Sequence, residues 1–171
     1  MDLAEILKDR RSIRAFKEDP VEPEILKKLV LEAGIWAPSG GNAQTWRFII
    51  VNEKGLLKKI KMVSPGLLGN PPALIVVCQD MEKAYSKGDR LGRDFLSIMD
   101  SAMAAQNIML LAFSLNLGTC PIASFHPGAL QKILHLPEHV VPHLIISVGY
   151  PQSIPQAPPR ETGVVWFNGY S

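Results

Sequence analysis

Between a predicted helix and a predicted strand lies the stretch Ala37-Pro38-Ser39-Gly40-Gly41-Asn42-Ala43-Gln44-Thr45-Trp46. Its polar side chains, Ser39, Asn42 and Gln44, supply hydrogen-bond donors and acceptors that suit the edge of a heteroaromatic ring. The glycines between them, Gly40 and Gly41, let the backbone approach a ligand closely. The stretch therefore predicts a loop that holds a flat polar ligand, although an ordinary connection between helix and strand can have the same composition.

A second cluster lies upstream, in Arg10-Arg11-Ser12-Ile13-Arg14-Ala15-Phe16. It places three guanidinium groups and one hydroxyl within five positions. Guanidinium groups match the oxygens of a phosphate through charge-assisted hydrogen bonds. Arg10, Arg11 and Ser12 are therefore candidates to bind one phosphate, and the alternative is a solvated basic turn after a helix.

The length and composition of the chain restrict the class of protein. Its 171 residues are 47% hydrophobic and 20% charged, which predicts a single domain over residues 1–171. The net charge of +2, with both signs mixed along the sequence, argues against a nucleic-acid partner. Neither a leader pattern nor an apolar run of about 18 residues occurs, so we expect a cytoplasmic protein with no membrane partner.

Other kinds of site are weakly indicated. Cys78 and Cys120 lack CxxC spacing and have apolar neighbours, so we expect buried reduced thiols. Three histidines recur every four residues from His135 to His143, but two prolines interrupt any helix that would align them, and we expect no metal. A Rossmann fingerprint, a P-loop and a nucleophile elbow are all missing from the sequence.

The hydrophobic pattern predicts helices alternating with short buried strands. An Asp2-x-x-Glu5 pair predicts a helix start, and Pro23 predicts the first residue of an amphipathic helix. We expect a mobile loop over residues 80–93, where no period is visible. The remaining predicted elements are helices over 23–36, around 56–60, over 94–116 and over 127–134, strands over 47–51, 73–78 and 144–148, and an extended proline-rich tail over 151–171.

The long helix predicted over residues 94–116 is apolar nearly all round between Ala102 and Phe113. A helix of this kind must be enclosed on every side. In so small a domain a second copy of the chain can cover part of it, which favours a dimer. A central helix within a monomer is the alternative.

Taken in order, the motifs are similar to those of the FMN-dependent nitroreductase family, and the resemblance covers nearly the whole chain. It implies an α+β fold with a mainly antiparallel central sheet surrounded by helices. It also implies an intertwined homodimer with two FMN molecules at the subunit interface. The motifs are Arg-Arg-Ser-Ile-Arg-x-Phe at 10–16, Ala-Pro-Ser-Gly-Gly-Asn-x-Gln-x-Trp at 37–46, Gln106-Asn107-Ile108, Gly-Thr-Cys-Pro-Ile-Ala-Ser-Phe at 118–125, Gly149-Tyr150-Pro151 and Arg160.

The resemblance also implies which residues bind FMN. The phosphate would be held by Arg10, Arg11, Ser12 and Arg160, and Arg14 would reach the ribityl chain and the pyrimidine edge. The partner subunit would contribute Pro38, Ser39, Gly40 and Asn42. The backbone around Pro121, Ile122, Ala123 and Ser124 would line the other side of the ring, and Asn70 is the candidate for an asparagine at the flavin edge.

The resemblance implies that FMN carries the chemistry, with no acid or base residue from the protein in the first half-reaction. NADH or NADPH would be the reductant, and a nitroaromatic, quinone or similar small aromatic acceptor would follow it into the same space in ping-pong turnover. Related flavin chemistry, such as flavin fragmentation or reductive dehalogenation, and a non-enzymatic FMN-binding protein are the alternatives. One departure is Pro158, because many family members carry a lysine there, so phosphate binding would depend more on Arg10 and Arg11.

Overall fold

The computed structural model describes residues 2–170 and contains one four-stranded antiparallel sheet. The spatial order of the strands is β1-β2-β4-β3. The strands are β1 (Trp46–Val51), β2 (Ala73–Asp80), β3 (Gly118–Ile122) and β4 (Val140–Gly149). The predicted antiparallel sheet is confirmed, and the aliphatic runs of the sequence form its strands because Val and Ile suit a pleated, buried surface.

Six α-helices surround the sheet. The Asp2–Glu5 pair forms the capping box of the first helix, and Pro23 occupies the first turn of the second, as the sequence predicts. The helices are α1 (Leu3–Asp9), α2 (Pro23–Leu31), α3 (Lys54–Met62), α4 (Met81–Leu91), α5 (Ser97–Ser114) and α6 (Pro127–Ile133).

The two faces of the sheet carry separate hydrophobic cores, because successive side chains of a strand point to opposite faces. Ile75 and Val77 of β2 pack with α2 and α5 on one face. Leu74 and Val76 pack with α3 and α6 on the other. All eight residues of β2 are buried, which explains why its sequence is a continuous apolar run rather than an alternating one.

The prediction of a mobile loop over residues 80–93 is wrong. This segment forms α4, whose first turn is capped by the Asp80 carboxylate accepting the backbone N–H of Lys83 at 2.9 Å. Gly88 and Asp89 depart from helical geometry, with φ of −152° and 52°. This break interrupts the helical period in the sequence, so the helix is hard to recognise there.

Two other boundaries differ from the predicted ones. The helix predicted over 23–36 ends at Leu31, and a separate 3₁₀ turn, Gly34–Trp36, follows it. Trp36 is 73% exposed, so it does not continue the buried face of α2. The helix predicted over 94–116 begins with a π-helical turn, Gly92–Leu96, that runs directly into α5.

One face of the run from α4 to α5 is apolar and exposed. We call it the apolar stripe, and it consists of Leu91, Phe95, Ile98, Met99 and Met103. These residues recur at helical spacing and therefore form one face. Hence the full enclosure expected of this helix is not achieved within one chain.

The continuous helical run Met81–Ser114 is long and apolar enough to pass a length-and-hydropathy test for a membrane span, with 44% of its most apolar window buried in the fold. The core helix of a soluble protein passes the same test. The buried side chains of α5 pack on the sheet, which is the arrangement of a core helix.

Candidate functional site

Arg10 lies at the C-terminal cap of α1 and is partly buried. Its Nη1 atom is buried and has no hydrogen-bond partner within residues 2–170. Burial lowers the pKa of its guanidinium, and the positive charges of Arg11 and Arg160 lower it further. An unpartnered, partly desolvated cation beside two others is the environment that an anion would stabilise.

The other members of the arginine cluster have different surroundings. Arg11 donates from Nη1 to the backbone oxygens of Lys8 and Arg10, at 2.5 and 2.8 Å, so this nitrogen caps the end of α1. Ser12 pairs in parallel with Thr119, and Ile13 N donates to Thr119 O at 2.9 Å. The cluster therefore runs beside β3, at one edge of the sheet.

The segment after β3 lies at the same edge. Pro121, Ala123 and Ser124 are exposed there, whereas the side chain of Ile122 is buried in the core with α3 and α6. Gly66 N donates to Ser124 O at 3.0 Å. This hydrogen bond fixes the chain that follows α3 against residues 121–124.

Asn70 comes directly after Gly69, whose backbone lies against the arginine cluster. Gly69 has φ of +71°, and a Cβ atom there would lie 2.1 Å from the carbonyl oxygen of Arg14. Asn70 Oδ1 accepts from Lys61 Nζ at 2.7 Å, and both residues line a cavity of about 480 Å³ beside α3. The backbone at Asn70 is thus close to Arg14, while the side-chain oxygen is bound to Lys61.

The loop of residues 37–45 contains a 3₁₀ turn, Gly40–Asn42, and is held together by its own side chains. Ser39 Oγ accepts from Gln44 N at 3.1 Å, and Asn42 Oδ1 accepts from Gln44 Nε2 at 2.9 Å. Gly41, Asn42 and Gln44 have φ of 57°, 54° and 48°. Asn42 is exposed, so its side-chain amide is accessible from solvent.

A residue that the sequence analysis missed holds this loop from beneath. The carboxylate of Asp100, in the first turn of α5, accepts the backbone N–H of Gly40 at 3.2 Å to Oδ1 and 3.1 Å to Oδ2. Asp100 is 4% exposed, and burial raises its pKa while the hydrogen bond from Gly40 opposes that rise. The available signal was a single acidic residue within an otherwise apolar helix.

The structure thus arranges the predicted site residues in two groups. The first group lies along the β3 edge and consists of Arg10, Arg11, Ser12, Arg14, Asn70, Pro121, Ile122, Ala123, Ser124 and Arg160. The second group precedes β1, at the other edge, and consists of Pro38, Ser39, Gly40, Asn42 and Gln44. Three strand spacings, about 14 Å, separate the two edges, so in one chain the two groups are carried by opposite edges of the sheet.

Comparison with known proteins covers nearly the whole chain. The family model described as Nitroreductase family matches residues 7–64 and 56–150. A protein of Methanothermobacter thermautotrophicus, provisionally named an NADH dehydrogenase/NAD(P)H nitroreductase, is 33% identical over 162 residues, covering 91% of this chain and 80% of the relative. A Bacillus subtilis protein named FMN reductase (NAD(P)H) is 31% identical over 170 residues, which cover 90% of this chain and 68% of that relative.

Solved structures agree with these relatives. The structure of an FMN-dependent nitroreductase from Clostridium difficile superposes with a TM-score of 0.84 at 31% identity, covering 98% of this chain and 100% of that one. The predicted fold class is thereby confirmed for the single chain.

Proposed function

The chain belongs to the nitroreductase family, and we therefore propose that it is an FMN-dependent oxidoreductase that uses NADH or NADPH to reduce nitroaromatics, quinones or similar small aromatic acceptors. FMN, when bound, supplies the redox chemistry by accepting reducing equivalents from the nicotinamide and passing them to the acceptor. The protein supplies binding, orientation and electrostatics.

The observation that carries the proposal is that Nη1 of Arg10 has no hydrogen-bond partner among the described residues, although the positive charges of Arg11 and Arg160 lie near it. A phosphate carries about two negative charges and offers several acceptor oxygens. It would give this nitrogen the partner that it lacks and would offset the mutual repulsion of the three cations. The side chains present therefore fit the phosphate end of FMN.

Further residues of the same group suit the rest of the cofactor. Arg14 is exposed beside the Gly69–Asn70 backbone, and we assign it to the ribityl chain and the pyrimidine edge. The exposed backbone at Pro121, Ala123 and Ser124 offers a surface against which a ring can lie. A fixed positive charge at Arg14 would favour the reduced form of the cofactor, because reduction adds negative charge.

We propose that the site is completed by a second copy of the chain in a homodimer. The loop of residues 38–44 and the β3 edge lie at opposite edges of one sheet, so the loop of one protomer would meet the arginine cluster of its partner. The exposed apolar stripe is a surface that association would cover. The tail beyond β4 also exposes Trp166, Phe167 and Tyr170, which suit an interface in the same way.

Names of relatives support the choice of reductant and acceptor class. They include FMN reductase (NAD(P)H) and CR(VI) reductase, from Bacillus subtilis and a Pseudomonas species. Such names fit an open site in which the nicotinamide and the acceptor use the same space one after the other. We also infer a single domain, with residues 151–171 as its tail, in a soluble cytoplasmic protein.

The decisive experiment is the absorption spectrum of the purified protein before and after anaerobic addition of NADH or NADPH. The proposal expects flavin bands near about 370 and 450 nm that bleach on addition of the nicotinamide, and chromatography of the released flavin should identify FMN. Bands that persist would instead indicate a binding protein or another reductant. Oxygen-dependent loss of the flavin without an acceptor would indicate flavin fragmentation. A colourless protein that does not bind added FMN would contradict the proposal altogether.

A further inference from the structure

The loop of residues 39–44 adopts a backbone shape that its own sequence does not favour. Asn42 and Gln44 both have positive φ, at 54° and 48°, a region that costs non-glycine residues free energy. Local hydrogen bonds offset part of this cost, since Ser39 O accepts Asn42 N at 2.9 Å and Gly40 O accepts Ala43 N at 3.1 Å. These bonds all lie within the loop, so they do not fix where it stands relative to the rest of the protein.

Two hydrogen bonds fix the loop to the rest of the protein. Lys83 Nζ of α4 donates to Gln44 O at 3.1 Å near the end of the loop, and Asp100 accepts the N–H of Gly40 near its start. Both of its carboxylate oxygens lie within 3.2 Å of Gly40 N, although α5 is 60 residues further along the chain. The peptide between Ser39 and Gly40 is thus held at both ends, because its carbonyl accepts Asn42 N and its N–H donates to Asp100. A hydrogen bond to a carboxylate is stronger than one to a neutral acceptor.

The arrangement is costly for a purely structural cap. Asp100 is 4% exposed, and no Lys, Arg or His lies within ion-pair distance of it among residues 2–170. Burying an unpaired carboxylate disfavours its charged form. An asparagine or serine would accept the same N–H without that cost, so the charge itself calls for an explanation.

A small cavity of about 130 Å³ separates the loop from α4 and α5 and is lined by Gly40, Thr45, Lys87, Ser97 and Asp100, among others. Thr45 Oγ1 is buried without a partner in the described chain. Lys87 is the one other charged residue among those lining the cavity. The loop therefore borders open space, and the Gly40–Asp100 hydrogen bond fixes its first half beside that space.

We propose that Asp100 is a positioning residue that fixes the loop of residues 39–44 in the shape that binds the flavin of the partner subunit, and that it does so only as the carboxylate. This inference rests on the proposed function, because it assigns the loop to flavin binding. The ionised form holds Gly40 N–H with full strength, whereas protonation weakens the acceptor and releases the loop. Since burial raises the pKa of Asp100, the release occurs at a less acidic pH than for an exposed aspartate.

The test compares the wild type with Asp100→Asn, which keeps the shape of the side chain and one acceptor oxygen. The first readout is the amide proton of Gly40 in ¹H–¹⁵N NMR spectra of the apo-protein. Its resonance should lie downfield in the wild type and move upfield in the variant, because charge-assisted hydrogen bonds are shorter and stronger. This readout requires no flavin.

The second readout is the dissociation constant for FMN, measured by flavin fluorescence from pH 8 down to the lowest pH at which the protein stays folded. We expect about tenfold weaker binding by Asp100→Asn at neutral pH, which is a change of about 1.4 kcal/mol. The phosphate of FMN titrates in the same pH range, so the informative quantity is the ratio of the two dissociation constants at each pH. That ratio should fall towards one as Asp100 of the wild type becomes protonated.

Ser101→Ala is the matched control, since the hydroxyl of Ser101 is also buried in α5 but donates to Ser97 O at 2.8 Å rather than to the loop. It should leave the Gly40 resonance and the FMN affinity unchanged. If Asp100→Asn does not fold, a pH titration of the Gly40 resonance in the wild type makes the same comparison without a substitution.

The outcomes separate the two proposals. A shifted Gly40 resonance together with weaker FMN binding supports the positioning role. A shifted resonance with unchanged FMN binding overturns that role and leaves the proposed function intact. A Gly40 resonance that responds neither to Asp100→Asn nor to pH overturns the inference, and a wild type that binds no FMN overturns both proposals.

Discussion

Arg160 lies close enough to Arg10 for its positive charge to lower the pKa of the Arg10 guanidinium, although the two residues come from opposite ends of the chain. Tail and N-terminal segment therefore meet at one point beside β3. Because the Nη1 of Arg10 has no partner there within the described residues, this convergence of positive charge does not stabilise the single chain, and we assign it to the proposed phosphate site.

Replacing Arg10 should therefore separate binding from stability. We expect Arg10→Met to weaken FMN binding by about 10- to 100-fold. This range corresponds to the binding free energy of one charge-assisted hydrogen bond or somewhat more. The apo-protein should be at least as stable as the wild type, because a desolvated cation beside Arg11 and Arg160 has been removed. Fluorescence titration with FMN and thermal unfolding of the apo-protein measure the two effects. Lys8→Met, on the exposed surface of α1, is the control, and a loss of apo stability specific to Arg10→Met would contradict this view.

Arg14→Ala should retain the fold and bind FMN, yet lower the midpoint potential of the bound cofactor and slow its reduction by NAD(P)H. The reason is the loss of a positive charge near the group that becomes negative on reduction. Anaerobic stopped-flow spectroscopy and a dye-coupled redox titration measure these quantities. Lys17→Ala removes a nearby exposed charge and should change neither. Equal rates and potentials in Arg14→Ala and the wild type would exclude Arg14 from the site.

The apolar stripe predicts the oligomeric state. Phe95→Asp places a charge within the stripe and should shift the protein from dimer to monomer in sedimentation velocity. It should also abolish FMN binding, because the proposed site is built from both protomers. Met62 is a suitable control position, since it is 83% exposed and lies at the end of α3, outside the stripe. Met62→Asp should remain dimeric. A monomeric wild type that binds FMN fully would rule out the two-subunit site.

Gly69 should tolerate no side chain. A Cβ atom there would lie 2.1 Å from the carbonyl oxygen of Arg14, and φ is +71°, so Gly69→Ala is expected to lower the free energy of unfolding by about 2 kcal/mol or more. Gly128 in α6 has no heavy atom within 4 Å of a Cβ position, and Gly128→Ala should instead stabilise the protein by about 0.5 kcal/mol. Urea unfolding of both variants provides the comparison, and equal effects would contradict the close contact at Gly69.

The buried thiol of Cys78 predicts a loss of stability in alkali. Burial raises its pKa from an ordinary value of 9.0 to about 12, so the native state keeps a proton that the unfolded chain releases. The resulting stabilisation is complete below pH 9 and is lost as the pH rises towards 12, with a slope of up to about 1.4 kcal/mol per pH unit. Lysines and tyrosines titrate in the same range, so urea unfolding at pH 8 and 10.5 should be compared between the wild type and Cys78→Ala. The variant should lose less stability over that interval, and equal losses in the two proteins would contradict the raised pKa of the Cys78 thiol.

Much of the fold follows from short-range sequence signals. The Asp2–Glu5 capping box, Pro23 at a helix start and the aliphatic runs of β1, β2 and β4 each depend on residues a few positions apart. Such signals act through the local backbone, so they can be read without knowing the fold. The same holds for α3 and α6, whose predicted positions the structure confirms.

The wrong prediction for residues 80–93 has a local cause too. The segment predicted as a loop over 80–93 is the helix α4, which begins after its N-cap residue Asp80. The break at Gly88 and Asp89 interrupts the helical period, so the sequence does not show it. The enclosure expected of the helix over 94–116, with a second copy covering part of it, stays a prediction. A single chain leaves the apolar stripe exposed, and hydropathy reports that a surface must be covered but not by what.

The sequence by itself determined the helices other than α4, the strands β1, β2 and β4 and the two candidate clusters, because each is encoded by neighbouring residues. The antiparallel sheet was expected only from the resemblance to a family, since strand pairing joins residues far apart in the sequence. Only the tertiary structure decided that Arg160 joins Arg10, that Asp100 holds Gly40 and that the two clusters lie at opposite edges of the sheet. These relationships join residues far apart in the sequence. They exist only when packing of the two cores has fixed the relative positions of the elements that carry them.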